Sequence, residues 1–330
     1  MQGSTRRPVA VRLLQWAAWS IGLVALVVLA LTLLAPHSDL AWRTSIRLSG
    51  FLMRPVKFPA VAAHRHRLCS WADAWSQAVA TDKMLAERNV SAKFRQLRSE
   101  RGLLQIETSI GRFWIPAPDL PTLAEEIAEE ERGVYEETNG HGLKPGDVVL
   151  DCGANVGVYT RTALSGGARL VVAIEPAPLP LECLRRNFAA EIQAGQVIIY
   201  PKGVWNKDDT LELTTSPELA STAASVAIDR GAKGPRVALT TIDKLAGELK
   251  LERVDFIKMD IEGAEPQALE GAKATVARFH PRMAISLEHR PSDPDQIPAL
   301  VKRLWPDYKM ECGPCVNMTG SLQPVALLAW

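Results

Sequence analysis

Residues 147–160 read DVVLDCGANVGVYT. An unbroken apolar run ends on Asp151, glycines stand at 153 and 157, and a helix-like VYT follows. Short apolar runs recur downstream with helical patterns between them: LVVAI from 170, VIIY from 197, VALTTI from 237, FIKM from 256, MAISL from 283 and VALLA from 325. Runs without apolar/polar alternation read as strands covered on both faces, and intervening helices imply parallel crossovers. The sequence therefore predicts an α/β class: a doubly wound, mainly parallel, Rossmann-like sheet over 144–330, starting after Lys144-Pro145-Gly146.

Glycine at a strand-to-helix turn lets a ligand approach backbone N–H groups that the helix leaves unpaired. Glu175 closes the next candidate strand, where a carboxylate is placed to accept the hydroxyls of a ribose. A dinucleotide fingerprint needs a middle glycine to admit a pyrophosphate, and Asn155 stands there instead. Asp151 at the strand end would repel a diphosphate and attract a cationic amino-acid portion. Both departures favour S-adenosylmethionine over NAD.

The block resembles the FkbM-type S-adenosylmethionine-dependent methyltransferases, of the class I methyltransferase fold. The resemblance rests on DVVLDCGANVGVYT, on VVAIEPAP at 171–178, on LTTIDKL at 239–245 and above all on VDFIKMDIEGAEPQALEGA at 254–272. It implies seven strands with the last antiparallel and the cofactor across their carboxyl ends. It also implies that Asp151, Gly153, Asn155 and Gly157 shape the methionine-side loop, with Asp260 beside it, and that Glu175 takes the ribose. Gly203-Val204-Trp205-Asn206 departs from the family's usual adenine-side turn. Family members methylate hydroxyls of sugars, glycolipids or polyketides, so a hydroxyl-bearing glycan, lipid-linked or polyketide-like acceptor is expected. The rival reading is a non-catalytic scaffold that keeps the cofactor fold.

Lys258 and Asp260 share strand parity, and Asp260, Glu262 and Glu265 crowd the exit of their strand. Glu288 and His289 close the next one. An alcohol that gains a methyl group must lose its proton, so the catalytic candidates are Lys258, Asp260, Glu262 and His289, with His289 or a carboxylate of raised pKa as base. An oxygen-ligated Mg²⁺ on Asp260, Glu262 and Glu288 is an alternative that no spacing demands, and the reading adopted has no metal.

Residues 1–80 carry nine Lys/Arg against Asp39 and Asp73, which leaves a net of −6 for the other 250 of the 330 residues. This argues against a nucleic-acid partner and for a membrane surface near the start. Ala17 to Ala35 is almost wholly apolar, long enough to cross a bilayer and flanked by Trp16, Trp19 and Trp42. The expectation is a retained single-pass span in 1–36, with a cleaved signal peptide or a core helix as alternatives. Because the donor is cytosolic, the domain is expected to face the cytoplasm. Residues 37–143 then form an extension: a basic amphipathic stretch, a helix over 68–90, strands over 94–106 and 112–116, and an acidic helix at PTLAEEIAEEERGVYEE read as solvated. Five cysteines, an odd number and widely spread, suggest a reducing compartment, with Cys312 and Cys315 as incidental thiols in a turn.

Overall fold

The computed structural model describes residues 26, 27, 30, 33, 38–79, 81–135, 141–215, 225–229, 231–318 and 321–330. The chain opens with helices α1 (Asp39–Ala63), α2 (Trp71–Ser76) and α3 (Thr81–Ser91), an antiparallel three-stranded sheet β1 (Arg95–Glu100), β2 (Leu103–Thr108) and β3 (Gly111–Pro116), and helix α4 (Leu120–Glu131). The helix expected over 68–90 is thus two helices, and the strand expected over 94–106 is a hairpin. Arg101 and Gly102 both take positive φ, 50° and 82°, which folds the run back on itself.

The second block supplies β4 (Val148–Cys152), α5 (Val158–Ser165), β5 (Leu170–Ile174), α6 (Pro178–Asn187), α7 (Ala189–Gln193), β6 (Val197–Tyr200), β7 (Gly203–Val204), β8 (Asp209–Thr215), β9 (Ala232–Thr240), α8 (Ile242–Glu248), β10 (Phe256–Met259), α9 (Glu265–Glu270), α10 (Lys273–Phe279), β11 (Arg282–Ser286), α11 (Asp293–Leu304) and β12 to β15 (Met310–Cys312, Cys315–Met318, Ser321–Pro324, Ala326–Ala329). Seven strands form one sheet in the order β12-β15-β11-β10-β4-β5-β6. Pairing is parallel from β11 to β6, while β15 runs antiparallel to both its neighbours. The chain winds outward from β4 to β6 and then returns to place β10 on the other side of β4. That reversal opens a crevice at the carboxyl ends of β4 and β10.

Six of the seven candidate strands lie in this sheet. The exception is the run from 237: it belongs to β9, which pairs with β7 and β8 in a separate small sheet. The seventh place is taken by β12, whose three residues are too short to register as a strand signal. The strands are buried on both faces. Leu150, Cys152, Ile257, Met259, Met283 and Ile285 pack on one side against Ile242, Leu245 and Leu269, while Val149, Val171, Phe256 and Ala284 pack on the other with Tyr135 and Tyr159. The N-terminal extension shares its core with the second block: Phe113, Ile115, Leu123 and Ile127 meet Val156, Val158 and Cys183.

Two expectations are corrected here. Among the described residues no helix is long and apolar enough to cross a membrane, so the single-pass protein with a cytoplasm-facing domain is not supported. The described helix next to the apolar run, α1, carries Asp39, Arg43, Arg47, Arg54 and Lys57, too many charges for hydrocarbon. The run at 17–35 itself lies almost wholly outside the described residues. The second correction is a disulfide between Cys69 and Cys315, which removes the argument for a reducing compartment; Cys312 stays free on β12. The bond sits in a small apolar cluster of Val61, Ala74 and Leu322 that joins α1 and α2 to the β13–β14 hairpin, and it spans 246 residues of sequence. Closing so long a loop removes much unfolded-chain entropy, so Cys315→Ser should destabilise the fold by about 2–5 kcal/mol. A lower urea midpoint than wild type checks this; an unchanged midpoint would mean that the staple contributes nothing.

Candidate active site

Backbone geometry builds the crevice. Lys258 on β10 is the register partner of Asp151 on β4, so their side chains emerge side by side on one face. Past the strand ends, Gly153 lies so close to Asp260 that a β-carbon there would stand 1.8 Å from the Asp260 carbonyl oxygen. Gly153, Asn155 and Gly157 all have positive φ, at 81°, 48° and 96°. This turn directs backbone N–H groups towards the end of β5, and the Asn155 N–H donates to Glu175 Oε2 at 3.0 Å. The Ala177 N–H donates to the other carboxylate oxygen at 2.7 Å. Glu175 is thus fixed by the two loops that flank it.

These elements surround a cavity of about 290 Å³. Of the residues expected at the site, Gly153, Asn155, Glu175, Lys258, Asp260, Glu262 and His289 line it, and so does Glu288. Asp151 and Gly157 do not. Asp151 is fully buried behind the wall, accepts a hydrogen bond from the Thr160 hydroxyl at 2.6 Å and lies 3.9 Å from Lys258 Nζ. Gly157 caps α5, against Phe188 and Leu184. Trp205 is not among the lining residues and packs on the cluster of Leu213, Val237 and Leu239 in the small sheet. Pro176, Ala177, Pro180, Val204, Leu213, Val226 and Leu239 instead give the cavity an apolar end.

The polar end is a network around Asp260. Lys258 Nζ lies 3.6 Å from Asp260 Oδ2, and the Tyr135 hydroxyl donates to the same oxygen at 3.0 Å. The ammonium also sits 5.2 Å and 5.8 Å from the ring centres of Tyr135 and Tyr159, in cation–π range. Burial alone would lower the Lys258 pKa and raise that of Asp260. Their mutual attraction, with Asp151 acting on the lysine and His289 on the aspartate, reverses both shifts and keeps both groups charged. His289 faces three carboxylates. Its Nε2 is 3.3 Å from Asp260 Oδ1 and 3.6 Å from Glu262 Oε2, and its Nδ1 is 3.0 Å from Glu265 Oε1. Burial would lower its pKa, but Glu265, Glu262 and Asp260 raise it well above the ordinary histidine range.

Sequence reasoning missed one wall entirely. Glu125, Glu126, Glu129 and Glu130 of α4 line the cavity. Glu126 accepts a hydrogen bond from the Asn155 side-chain amide at 2.6 Å, which ties the extension to the glycine loop. Burial pushes Glu126 up to about 8, and burial together with Glu288 and Glu125 raises Glu129 well above the carboxylate range. The signal was present: residues at i, i+1, i+4 and i+5 occupy one helix face. Tyr135 carried no such signal. Burial and Asp260 likewise bring Glu288 to about 7, and burial brings Glu175 to about 7 against its two backbone hydrogen bonds.

Residues 151–308 match the family model described as the methyltransferase FkbM domain. Among known proteins the chain is similar to the 31-O-demethyl-FK506 methyltransferase FkbM of Streptomyces tacrolimicus, 38% identical over 89 residues that cover 24% of this chain and 34% of that protein. It is also similar to the methyltransferase sdnD of Sordaria araneosa, 26% identical over 153 residues, 37% of this chain and 59% of the other. The chain thus spans about a third and somewhat over half of the length of these curated relatives. Among solved structures, the methyltransferase FkbM from Methylobacillus flagellatus KT aligns with 19% identity and a TM-score of 0.45, over 76% of this chain and 60% of that one. Residues 151–308 thus match the FkbM methyltransferase domain, and over that span the chain is similar to this family.

Proposed function

We propose that the protein is an S-adenosylmethionine-dependent O-methyltransferase acting on a hydroxyl of a glycan, glycolipid or polyketide-like acceptor. The observation that carries this reading is Glu175, held at the end of β5 by two backbone N–H groups and facing the same cavity as the Gly153–Asn155 turn. The chemistry of the cavity fits a cationic nucleoside. Eight carboxylates line it, from Glu125, Glu126, Glu129, Glu130, Glu175, Asp260, Glu262 and Glu288, against Lys258 and His289. Even with Glu126 and Glu129 held neutral by burial, the acidic groups outnumber the two cations, which favours a sulfonium with its ammonium group and disfavours a diphosphate. Each Glu175 oxygen keeps a lone pair for a ribose hydroxyl, and the apolar end suits a purine ring. The name of the Streptomyces relative places its methyl group on oxygen, which supports oxygen as the acceptor atom here.

When bound, the cofactor supplies a methyl group that leaves sulfur for the acceptor oxygen, whose proton must go elsewhere. His289, held protonated by its carboxylates, has no free lone pair to take it. Glu288, with a pKa near 7 and its carboxylate in the cavity wall, does, so the base is a carboxylate. Lys258 and Tyr135 hold Asp260 charged and oriented beside the glycine turn.

Calorimetry tests the cofactor assignment. S-adenosylhomocysteine should bind and NAD should not. Glu175→Ala should weaken that binding by about 1–3 kcal/mol, the usual loss when a buried hydrogen-bonding partner is removed. Equal affinity in wild type and variant would remove Glu175 from the site.

A further inference from the structure

The glycine turn that carries Asn155 is held from outside the segment that matches the family model. Asn155 takes a left-handed φ of 48°, a conformation that asparagine tolerates better than most residues but does not hold by itself. Two of its groups are fixed by partners. Its backbone N–H donates to Glu175 Oε2 at 3.0 Å, and its side-chain amide donates to Glu126 Oε1 of α4 at 2.6 Å. A single residue therefore links Glu126, on the N-terminal extension, to the carboxylate assigned to the ribose.

A second link from the extension reaches the same turn. The Trp114 N–H on β3 donates to Asn187 Oδ1 at 2.6 Å, and the Asn187 amide donates to the Trp114 carbonyl at 3.1 Å. The same amide donates to the Val156 carbonyl at 2.9 Å. The turn is thus gripped at residues 155 and 156, once through α4 and once through β3. Neither bond is what docks the extension. Helix α4 packs through Leu123, Ala124, Ile127 and Ala128, a buried set to which Glu126 does not belong. Removing the Glu126 carboxylate takes away the bond to Asn155 and leaves that apolar contact in place.

We propose that Glu126 is a positioning residue for the cofactor: by fixing the Asn155 side chain it keeps the Asn155 N–H aimed at Glu175, and so keeps the Glu175 carboxylate in place for the ribose. The inference rests on the methyltransferase reading and deepens it, because it makes the N-terminal extension a working part of the cofactor site. The bond needs only an acceptor oxygen at 126, since the Asn155 amide is the donor. A glutamine carbonyl can replace the carboxylate, and an alanine cannot. Glu126 also lines the cavity, so direct contact with the amino-acid portion of the cofactor is the competing role. A ligand without that portion separates the two.

Calorimetry on the full chain compares S-adenosylhomocysteine with 5′-methylthioadenosine, which keeps the ribose and lacks the amino-acid portion. Glu126→Ala should weaken both ligands by the same factor, about 3- to 10-fold, the range for one hydrogen bond, while Glu126→Gln stays within about twofold of wild type. In a Glu175→Ala background the Glu126→Ala loss should shrink to under about twofold, because the residue acts through Glu175. Without ligand, hydrogen exchange across residues 153–157 should speed up in Glu126→Ala and not in Glu126→Gln. Melting curves confirm that each variant folds. Should Glu126→Ala fail to fold, Asn155→Gly, which removes the same bond from its other end and accepts the left-handed φ, takes its place. A loss confined to S-adenosylhomocysteine would assign Glu126 to the amino-acid portion and overturn the positioning role. An undiminished loss beside Glu175→Ala, a glutamine as weak as alanine, or unchanged exchange would overturn it too. Wild-type binding that ignores Glu126 defeats this inference alone. A wild type that binds neither ligand defeats the cofactor reading, and exchange still decides whether Glu126 fixes the turn.

Discussion

Gly153→Ala is expected to destabilise the protein by about 3 kcal/mol or more and to abolish S-adenosylhomocysteine binding. Two costs combine. The residue sits at φ 81°, where a β-carbon costs roughly 1–2 kcal/mol. That carbon would also stand 1.8 Å from the Asp260 carbonyl oxygen, a backbone atom that cannot swing aside as a side-chain tip would. Relief requires β4 and β10 to part at the crevice. Gly146 provides the control, since its φ is 88° but nothing lies within 4 Å of where its β-carbon would be. Gly146→Ala should therefore lose only the conformational cost. Thermal melts of the two variants check the prediction, and equal shifts would show that the close approach at Gly153 is readily relaxed.

Glu288→Gln should lower turnover by roughly 10²- to 10⁴-fold, the range for removing a general base, while changing S-adenosylhomocysteine affinity less than about threefold. The sign of the pH dependence follows from the raised pKa. Burial, with Asp260 nearby, lifts Glu288 to about 7, so the basic form is lost as pH falls through neutrality and the rate should rise with pH across that region. The variant should lack the limb altogether. Both are measured as S-adenosylhomocysteine formation with whichever member of a panel of hydroxyl acceptors supports turnover. A variant within a few-fold of wild type would assign the proton to another group, such as Glu126 or Glu129, cavity carboxylates that are also held above their usual range.

The two blocks differ in how much of them was legible. In the second, strands buried on both faces must be apolar throughout, so six of seven appear directly as runs, and the strand-end positions of Asp151, Glu175, Lys258 and Asp260 follow from where each run stops. The run from 237 misled because burial alternates along Val237-Ala238-Leu239 in a small sheet covered on one side, yet alanine at the exposed position hides the alternation. In the extension, Arg101 in a left-handed conformation made a hairpin that no Asn-Gly or Asp-Gly pair announced.

By itself the sequence determined the α/β class, the glycine turn after β4, the acid after β5 and the crowding of charge after β10 and β11. Each of these is a consequence of local order along one strand and the turn that follows it. Only the tertiary structure decided which groups share the cavity. It brought Glu126 and its neighbours on α4 over the glycine loop, placed Tyr135 on Asp260, set His289 among three carboxylates, withdrew Asp151 behind Lys258 and paired Cys69 with Cys315. Those contacts join positions as many as 246 residues apart. They depend on how helices and hairpins dock on the sheet, and no periodicity within a single element encodes that docking.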